Sequence, residues 1–325
     1  MTVAEPRVAV VLTCYNEGRT IGAAVQSVLK QSRADLIDKI VIADDGSNPD
    51  TISVLREIEH WDSRILVQYG PGGAGLSAQR NSGIESTTAP YVAILDGDDY
   101  WAAKKLELQL AALEADPDVG LVYSGYYTFA WDDSGTAARA RVRDITGRSD
   151  LTRAYFLNDP PIIPSTTLIR RSAFSACGGF DPGIRVFEDT DFYLRLSRVC
   201  RFALVDMPLL YKRSNSTGIT GSRKDLLAHH ALVALKAAAE EPRLLRLVPR
   251  RLAERARKLG NHRFLAGDIA EARRLLWFAL RLNPLSVRAW ASLLATTGLA
   301  WPVHRLFAAK LLARRVAMGV TQPLD

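Results

Sequence analysis

This 325-residue sequence predicts an α/β fold: a mostly parallel sheet with helices on both faces, followed by an all-α region. Three observations predict it. Short apolar runs alternate with segments of helical period through the first half. Acids and other polar residues stand at the ends of those runs, where open α/β sheets place their ligands. Beyond about Leu226 the chain becomes Ala/Leu/Arg-rich with few strand formers.

The elements follow in order. Residues 8–13 are continuously apolar and read as a strand buried on both faces. Residues 20–31 carry Ile21, Val25, Val28 and Leu29 at helical spacing. Residues 40–43 form the next strand, ending at Asp44 and Asp45, with Gly46 and Ser47 as a turn. Helix is expected over 52–58, strand over 65–69, helix over 77–85 and strand over 91–95. A helix over 104–114, a strand over 120–124 and a looser segment to Asp150 come next. The stretch 160–192 is rich in turn residues and ends in a charged helix start.

Composition bounds the class. A hydrophobic share of 48% and a charged share of 24% exclude wholesale disorder, and the length accommodates one large domain plus a smaller one. Cys14, Cys177 and Cys200 form no C-x-x-C pair and leave one over in any disulfide scheme, so a reducing, cytoplasmic setting is expected. The apolar run near the N-terminus is too short for a signal-peptide core and reads as the first strand.

The net charge of +7 is unevenly spread. Residues 1–224 hold 25 Lys/Arg and 28 Asp/Glu, whereas residues 225–325 hold 17 and 7. The chain therefore divides into an α/β domain over 1–224 and a basic helical region over 225–325. A solvated helical face accounts for that basicity, and so does an anionic membrane surface or an acidic protein partner. No aromatic-interleaved RNA motif or zinc-finger spacing is present, which disfavours nucleic acid. Gly260, Ala272, Leu276, Ala279 and Pro284 stand at tetratricopeptide spacing, with Trp290 opening a further unit. A repeat pair and an ordinary helical hairpin both remain open. The uncharged run 289–303 is too short to span a membrane; it reads as buried core or as an interfacial helix.

The chemistry concentrates at YVAILDGDDY, residues 91–100, where an apolar run ends in Asp96, Asp98 and Asp99. Carboxylates this close repel unless a cation or solvent relieves them, and two of them on a turn can share a hard divalent ion. The Gly-rich loop 70–75 lacks the Lys of a phosphate-binding P-loop and does not follow the first strand, so a P-loop ATPase or dinucleotide enzyme is disfavoured. It precedes Arg80, read as a fixed cation facing a ligand, with a surface ion pair as the plainer alternative. Asp44 and Asp45 could cap the next helix, but capping explains only one of two adjacent acids. Thr13 and Tyr15 offer a hydroxyl and an aromatic face at the first strand's end, with Glu17 beside them. Glu188 and Asp189 open the segment FEDTDFYLRL. They are either an acidic first turn that complements a helix dipole or the site of a general base.

Taken together, VVLTCYNE, IADDGS, AQRNSGI, LDGDD and GGFDP followed by FEDTDFYLRL resemble family 2 glycosyltransferases of the GT-A fold over roughly residues 8–213. The resemblance implies an inverting transfer of a sugar from a nucleotide-sugar donor (UDP-, GDP- or dTDP-sugar) to a hydroxyl acceptor in polysaccharide or lipid-linked glycan biosynthesis. It implies that Asp96 and Asp98, with Asp99, form a D-x-D site for the donor and for Mg²⁺ or Mn²⁺. It further implies that Thr13, Tyr15 and Asp45 contact the nucleobase, that Glu17 and Arg80 line the donor site, and that Asp189 is the catalytic base with Glu188 beside it. Neither a Q-x-x-R-W motif nor several spanning helices occur, so a single-addition enzyme, peripheral on the inner membrane face, is expected rather than a polymerising synthase. Tyr211, Lys212 and Arg213 are read as closing over the diphosphate. The stretch 160–167 and Gly178–Asp181 shape the acceptor side or simply place the base. The alternative from another class is a catalytically inactive scaffold that binds partners through its helical tail. A sugar nucleotidyltransferase is disfavoured because its N-terminal Gly-rich basic loop is missing.

Overall fold

The computed structural model describes residues 8–130, 137–140, 142, 144–158, 160–214 and 225–297. The first apolar run becomes β1 (Val8–Cys14), buried at every residue. It is the centre of a parallel quartet: β2 (Ile37–Asp44) and β4 (Tyr91–Asp96) flank it, and β3 (Ile65–Tyr69) lies outside β2. A strand with neighbours on both edges and helices against it has no polar face, which is why its sequence does not alternate. Helices α1 (Ile21–Leu29), α2 (Pro49–Ile58) and α3 (Leu76–Glu85) supply the crossovers. The start of α2 is set by Asn48, whose side chain accepts the Thr51 amide, and by Pro49 in the first turn.

Beyond β4 the sheet becomes mixed. After β5 (Tyr100–Trp101) and α4 (Lys105–Glu114) come β6 (Val119–Ala130), β7 (Ala138–Arg139) and β8 (Thr167–Arg170). Helices α5 (Leu151–Asn158), α6 (Arg171–Ala176) and α7 (Glu188–Leu196) and strand β9 (Arg201–Ser214) complete this part. The order is β3-β2-β1-β4-β8-β6-β9-β5, with β7 on β6. Strand β8 runs antiparallel between β4 and β6, and β9 runs parallel to β6. Among the described strands, only β5, β7 and β8 run against the rest, so the expected mostly parallel α/β sheet is what forms. Four of its strands, β5, β7, β8 and β9, and helices α5 and α6 fall where the sequence suggested no regular element.

Register decides where the polar residues gather. Thr13 pairs with Asp96, Cys14 with Asp44, and Asp44 with Tyr69. The carboxyl ends of all four parallel strands therefore finish level, at one edge of the sheet.

Contacts divide the chain into two units, Met1–Tyr155 with Asp159–Ser214, and Phe156–Asn158 with Asn215–Asp325. The second contains α8 (Leu226–Glu240), α9 (Val248–Leu265), α10 (Ile269–Leu282) and α11 (Val287–Ala295). Its small core joins Ala256, Leu276, Ala279, Leu280, Ala289 and Leu293. Gly260 allows α9 and α10 to approach: a β-carbon there would lie 2.9 Å from Leu276 Cγ and 3.1 Å from the Ala272 carbonyl oxygen. Of the positions of tetratricopeptide spacing, Gly260, Ala272, Leu276 and Ala279 lie where these helices pack, and Pro284 is exposed. In the run 289–303, Ala289, Leu293 and Ala295 are buried while Trp290 and Leu294 are exposed; its last residues lie outside the described residues. No described helix is long and apolar enough to cross a membrane.

Candidate active site

The acidic turn after β4 is fixed by backbone bonds. The Asp96 amide donates to Ser165 Oγ at 3.0 Å, the Gly97 amide to the Thr13 carbonyl at 3.1 Å, and the Asp99 amide to the Asp96 carbonyl at 3.0 Å. Gly97 is required by space: a β-carbon would sit 2.8 Å from the Thr13 carbonyl oxygen and against the Glu17 carboxylate. That turn sends its three carboxylates to different places. Asp96, with 23% of its side chain exposed, accepts from Arg80 Nη2 at 3.0 Å and more distantly from the Thr13 hydroxyl at 3.4 Å. Asp98 is half-buried. Asp99 is buried, and its Oδ1 accepts the Arg213 amide at 3.1 Å.

Burial and mutual repulsion set their acidity. Burial raises Asp98 and pushes Asp99 up to about 7, with the neighbouring acids adding to both. Asp96 goes the other way: against the cost of burial, Arg80 and then Lys212 hold it below the usual carboxylate value. Lys212 is held more firmly protonated, first by Asp99 and then by Asp96 and Asp98. Glu17 is raised well above its ordinary value by burial and by Asp98, and its Oε2 has no hydrogen-bond partner among the described residues.

Among the described residues no three His, Cys, Asp or Glu side chains converge as a metal cage, and Asp99 is already engaged by the Arg213 amide. A hard divalent ion still suits the remaining oxygen donors of Asp96 and Asp98, since Mg²⁺ and Mn²⁺ are commonly held by one or two carboxylates plus substrate phosphates.

At the end of β2 the two acids have separate tasks. Asp44 Oδ2 accepts the amides of Gly46 and Ser47 at 3.0 and 3.1 Å, closing the turn before α2. Asp45 reaches forward instead, accepting the Ala74 amide at 2.8 Å and the Gly75 amide at 2.9 Å. It thereby holds the Gly-rich loop, in which Gly72, Gly73 and Gly75 all have positive φ. Arg185 braces the same loop by donating to the Gly73 carbonyl at 3.0 Å. Thr13 is buried, and Tyr15 is 60% exposed at the same edge.

Arg80 is placed otherwise than expected. It is 2% exposed, with Nη1 on Glu188 Oε1 at 2.8 Å and Nη2 on Asp96, so it does not present a free cation to the crevice. A guanidinium in the interior is stable only when its charge is matched by close acids, and here two supply that match. The next residue, Asn81, clasps Phe180: its Nδ2 donates to the Phe180 carbonyl at 2.7 Å, and its Oδ1 accepts the Phe180 amide at 2.9 Å.

Glu188 and Asp189 begin α7 immediately after Phe187, which adopts φ 63°, an uncommon left-handed conformation for a bulky residue. Asp189 Oδ1 accepts the Thr190 amide at 2.6 Å. Burial, then the charge of Glu188, pushes Asp189 up to about 7. Asp191, the third acid of this turn, is engaged by Arg195 at 2.8 Å and is structural. Sequence reasoning missed Ser165 and the clasp of Asn81. Both lie inside segments it had singled out, but nothing in a sequence shows which backbone group such a side chain will meet.

A sheet of this order, with acids converging at the strand ends, defines a glycosyltransferase of the GT-A fold. The Glycosyl transferase family 2 profile matches residues 9–178, and the chain belongs to that family. It is 25% identical over 211 residues to an uncharacterized glycosyltransferase of Methanocaldococcus jannaschii, covering 64% of this chain and 71% of that protein. It is 34% identical over 120 residues to the Escherichia coli UDP-Glc:alpha-D-GlcNAc-diphosphoundecaprenol beta-1,3-glucosyltransferase WfaP, covering 37% of this chain and 46% of that one. The match thus spans about half the length of WfaP. Among solved structures, S. aureus TarS 1-349 superposes with a TM-score of 0.60 at 16% identity, over 96% of this chain and 90% of that one. The mannosyltransferase PcManGT from Pyrobaculum calidifontis, in complex with GDP-Man and Mn²⁺, gives 0.60 at 20% identity, over 97% and 88%. At these identities the two structures attest the fold.

Proposed function

We propose that this chain is an inverting, metal-dependent glycosyltransferase that moves a sugar from a UDP-, GDP- or dTDP-sugar to a hydroxyl of a glycan or lipid-linked saccharide. The observation that carries the reading is Asp189: a carboxyl raised to about 7 next to Glu188, which Arg80 links to the acidic turn of β4. A base poised near the working pH suits removal of a proton from an attacking hydroxyl. In the reaction the acceptor oxygen attacks the anomeric carbon and the bond from that carbon to the diphosphate oxygen breaks. Asp189 takes the acceptor proton, and the nucleoside diphosphate leaves.

Thr13, Tyr15 and Glu17 border the donor on the β1 side, and Asp45 acts by holding the Gly-rich loop against it. Asp96 and Asp98 would hold Mg²⁺ or Mn²⁺, which when bound supplies positive charge to the leaving diphosphate. Lys212 adds a second cation at the same acids. The names of the relatives support this: WfaP acts on a diphosphoundecaprenol-linked acceptor, and PcManGT and TarS were solved with GDP-Man and UDP-GlcNAc.

The test is release of nucleoside diphosphate from a sugar-nucleotide panel with Mn²⁺ and acceptor. Asp98→Ala and Asp189→Asn should each abolish turnover. Activity retained in Asp189→Asn would remove the base assignment. If calorimetry detects no binding of UDP, GDP or dTDP with Mn²⁺, the inactive scaffold becomes the better reading. The basic helical unit, with Trp277, Phe278 and Trp290 exposed, we assign to an anionic surface. The inner membrane face, where a lipid-linked acceptor would lie, is the expected one.

A further inference from the structure

We infer that Arg80 is a positioning residue: it ties the donor-side acid Asp96 to Glu188 and so fixes where Asp189 stands relative to the turn of β4. The inference rests on the proposed roles of Asp96 and Asp189 and adds a residue that touches neither donor nor acceptor.

The geometry is that of a fork with both tines occupied. Nη1 meets Glu188 Oε1 at 2.8 Å and Nη2 meets Asp96 Oδ1 at 3.0 Å, while the guanidinium carbon lies 5.3 Å from the Phe180 ring centroid. Two parallel nitrogens at fixed separation set a distance between their acceptors, which a single ammonium cannot do. Asn81, the next residue on α3, fixes Phe180 through both its amide atoms. Consecutive residues of α3 thus grip the approach to α7 at two points: Asn81 at Phe180, and Arg80 at Glu188. Between those points the backbone passes through the left-handed Phe187, a conformation that persists only where its surroundings impose it. The Arg80–Glu188 bond is such a constraint, one residue beyond it.

The arrangement also gives Glu188 a cation of its own. Two adjacent carboxylates at one helix start would otherwise compete for a proton or a cation. With Glu188 engaged by Arg80, Asp189 bonds to Thr190 among the described residues. A displacement of about 1 Å at a reacting group costs on the order of a hundredfold in rate, so loosening this tie would act on turnover more than on nucleotide binding.

The experiment has two arms. In the first, without ligand, melting temperatures are compared for the wild type, Arg80→Met and the triple variant Arg80→Met, Asp96→Asn, Glu188→Gln. The single variant takes the guanidinium from Glu188 and leaves Asp96 only Lys212, so it should melt lower, and the triple should recover most of the loss. A triple that melts below the single variant overturns the tie. In the second arm, Arg80→Lys keeps the charge but can serve only one acid. It should lose on the order of a hundredfold in kcat while binding nucleoside diphosphate and Mn²⁺ within about threefold of wild type by calorimetry. Adding Glu188→Gln to Arg80→Lys should cost little more. Weakened nucleotide binding and a raised donor KM with kcat preserved would mean that Arg80 touches the donor, and the inference fails. If the wild type neither binds nor turns over any nucleotide, the functional reading fails instead, and the melting comparison still decides the tie.

Discussion

The dependence of turnover on pH follows from the surroundings of Asp189. An ordinary aspartate titrates near 3.8 and would be fully ionised across the neutral range, whereas burial and the charge of Glu188 push Asp189 up to about 7. With a midpoint there, about a tenth of the molecules carry the basic form at pH 6 and about nine-tenths at pH 8. If Asp189 accepts the acceptor's proton, kcat/KM should therefore rise about tenfold from pH 6 to pH 8 and level off above. The same shift predicts the opposite slope for stability. The folded chain holds this proton more tightly than the unfolded chain, so the stabilisation is complete below about pH 4 and is lost as pH rises to about 7. The assay is initial-rate release of nucleoside diphosphate with Mn²⁺ at donor and acceptor concentrations below KM, beside melting temperatures in the same buffers without ligand. Asp189→Asn should abolish the rate and remove this contribution to the melting profile. A flat rate between pH 6 and 8 in the wild type, or a variant with the same rise, would refute the reasoning.

Three further outcomes are expected. Gly97→Ala should destabilise the chain by about 1–3 kcal/mol in urea unfolding, because its β-carbon meets the Thr13 carbonyl and the Glu17 carboxylate; an unchanged midpoint would show that the turn can open. Asp45→Ala should speed hydrogen exchange at the amides of Ala74 and Gly75 on the order of tenfold, since both are bonded to its carboxylate, and it should weaken nucleotide binding if the loop meets the donor. The full-length protein should co-sediment with anionic vesicles but not neutral ones, and Arg274→Glu with Arg281→Glu should reduce it, because these arginines border a groove with Trp277 and Phe278. Equal binding by variant and wild type would remove that surface from consideration.

Among the first four strands, β1 and β4 were the most legible because their environment is uniform. A strand buried on both faces has nowhere to place a polar residue, so β1 and β4 stand out as unbroken apolar runs and their ends are marked by the first acids. The later strands lack that uniformity. Strand β9 carries Asp206, Pro208 and Lys212, and its pairing with β6 shifts register at Ser124 and Gly125; β8 is four residues long, between a turn and a helix. A short or irregular strand gains its pairing from neighbours distant in sequence, and no local pattern records them.

The site residues divide along the same line. That acids gather beyond the strand ends was legible, since it follows from alternation and chain direction alone. Which acids are already engaged was not, because the partners lie far away: Asp45 is held by amides about thirty residues on, Asp99 by Arg213, and Glu188 by Arg80. Arg80 looked like a ligand-facing cation because arginine after a glycine loop usually has solvent to turn to; burial between two acids reverses that direction. Subtracting the engaged groups narrows the chemistry. Asp44 closes a turn, Asp45 holds a loop and Asp191 pairs with Arg195. Among the described residues no ion pair joins an arginine to Asp98 or to Asp189, whose carboxylate accepts the Thr190 amide. One stands at the turn of β4 and the other at the start of α7, and Arg80 spans from one segment to the other. The single displacement we propose would use this division of labour: one acid on the side of the leaving diphosphate, a separate acid for the entering hydroxyl, and a tie between their segments.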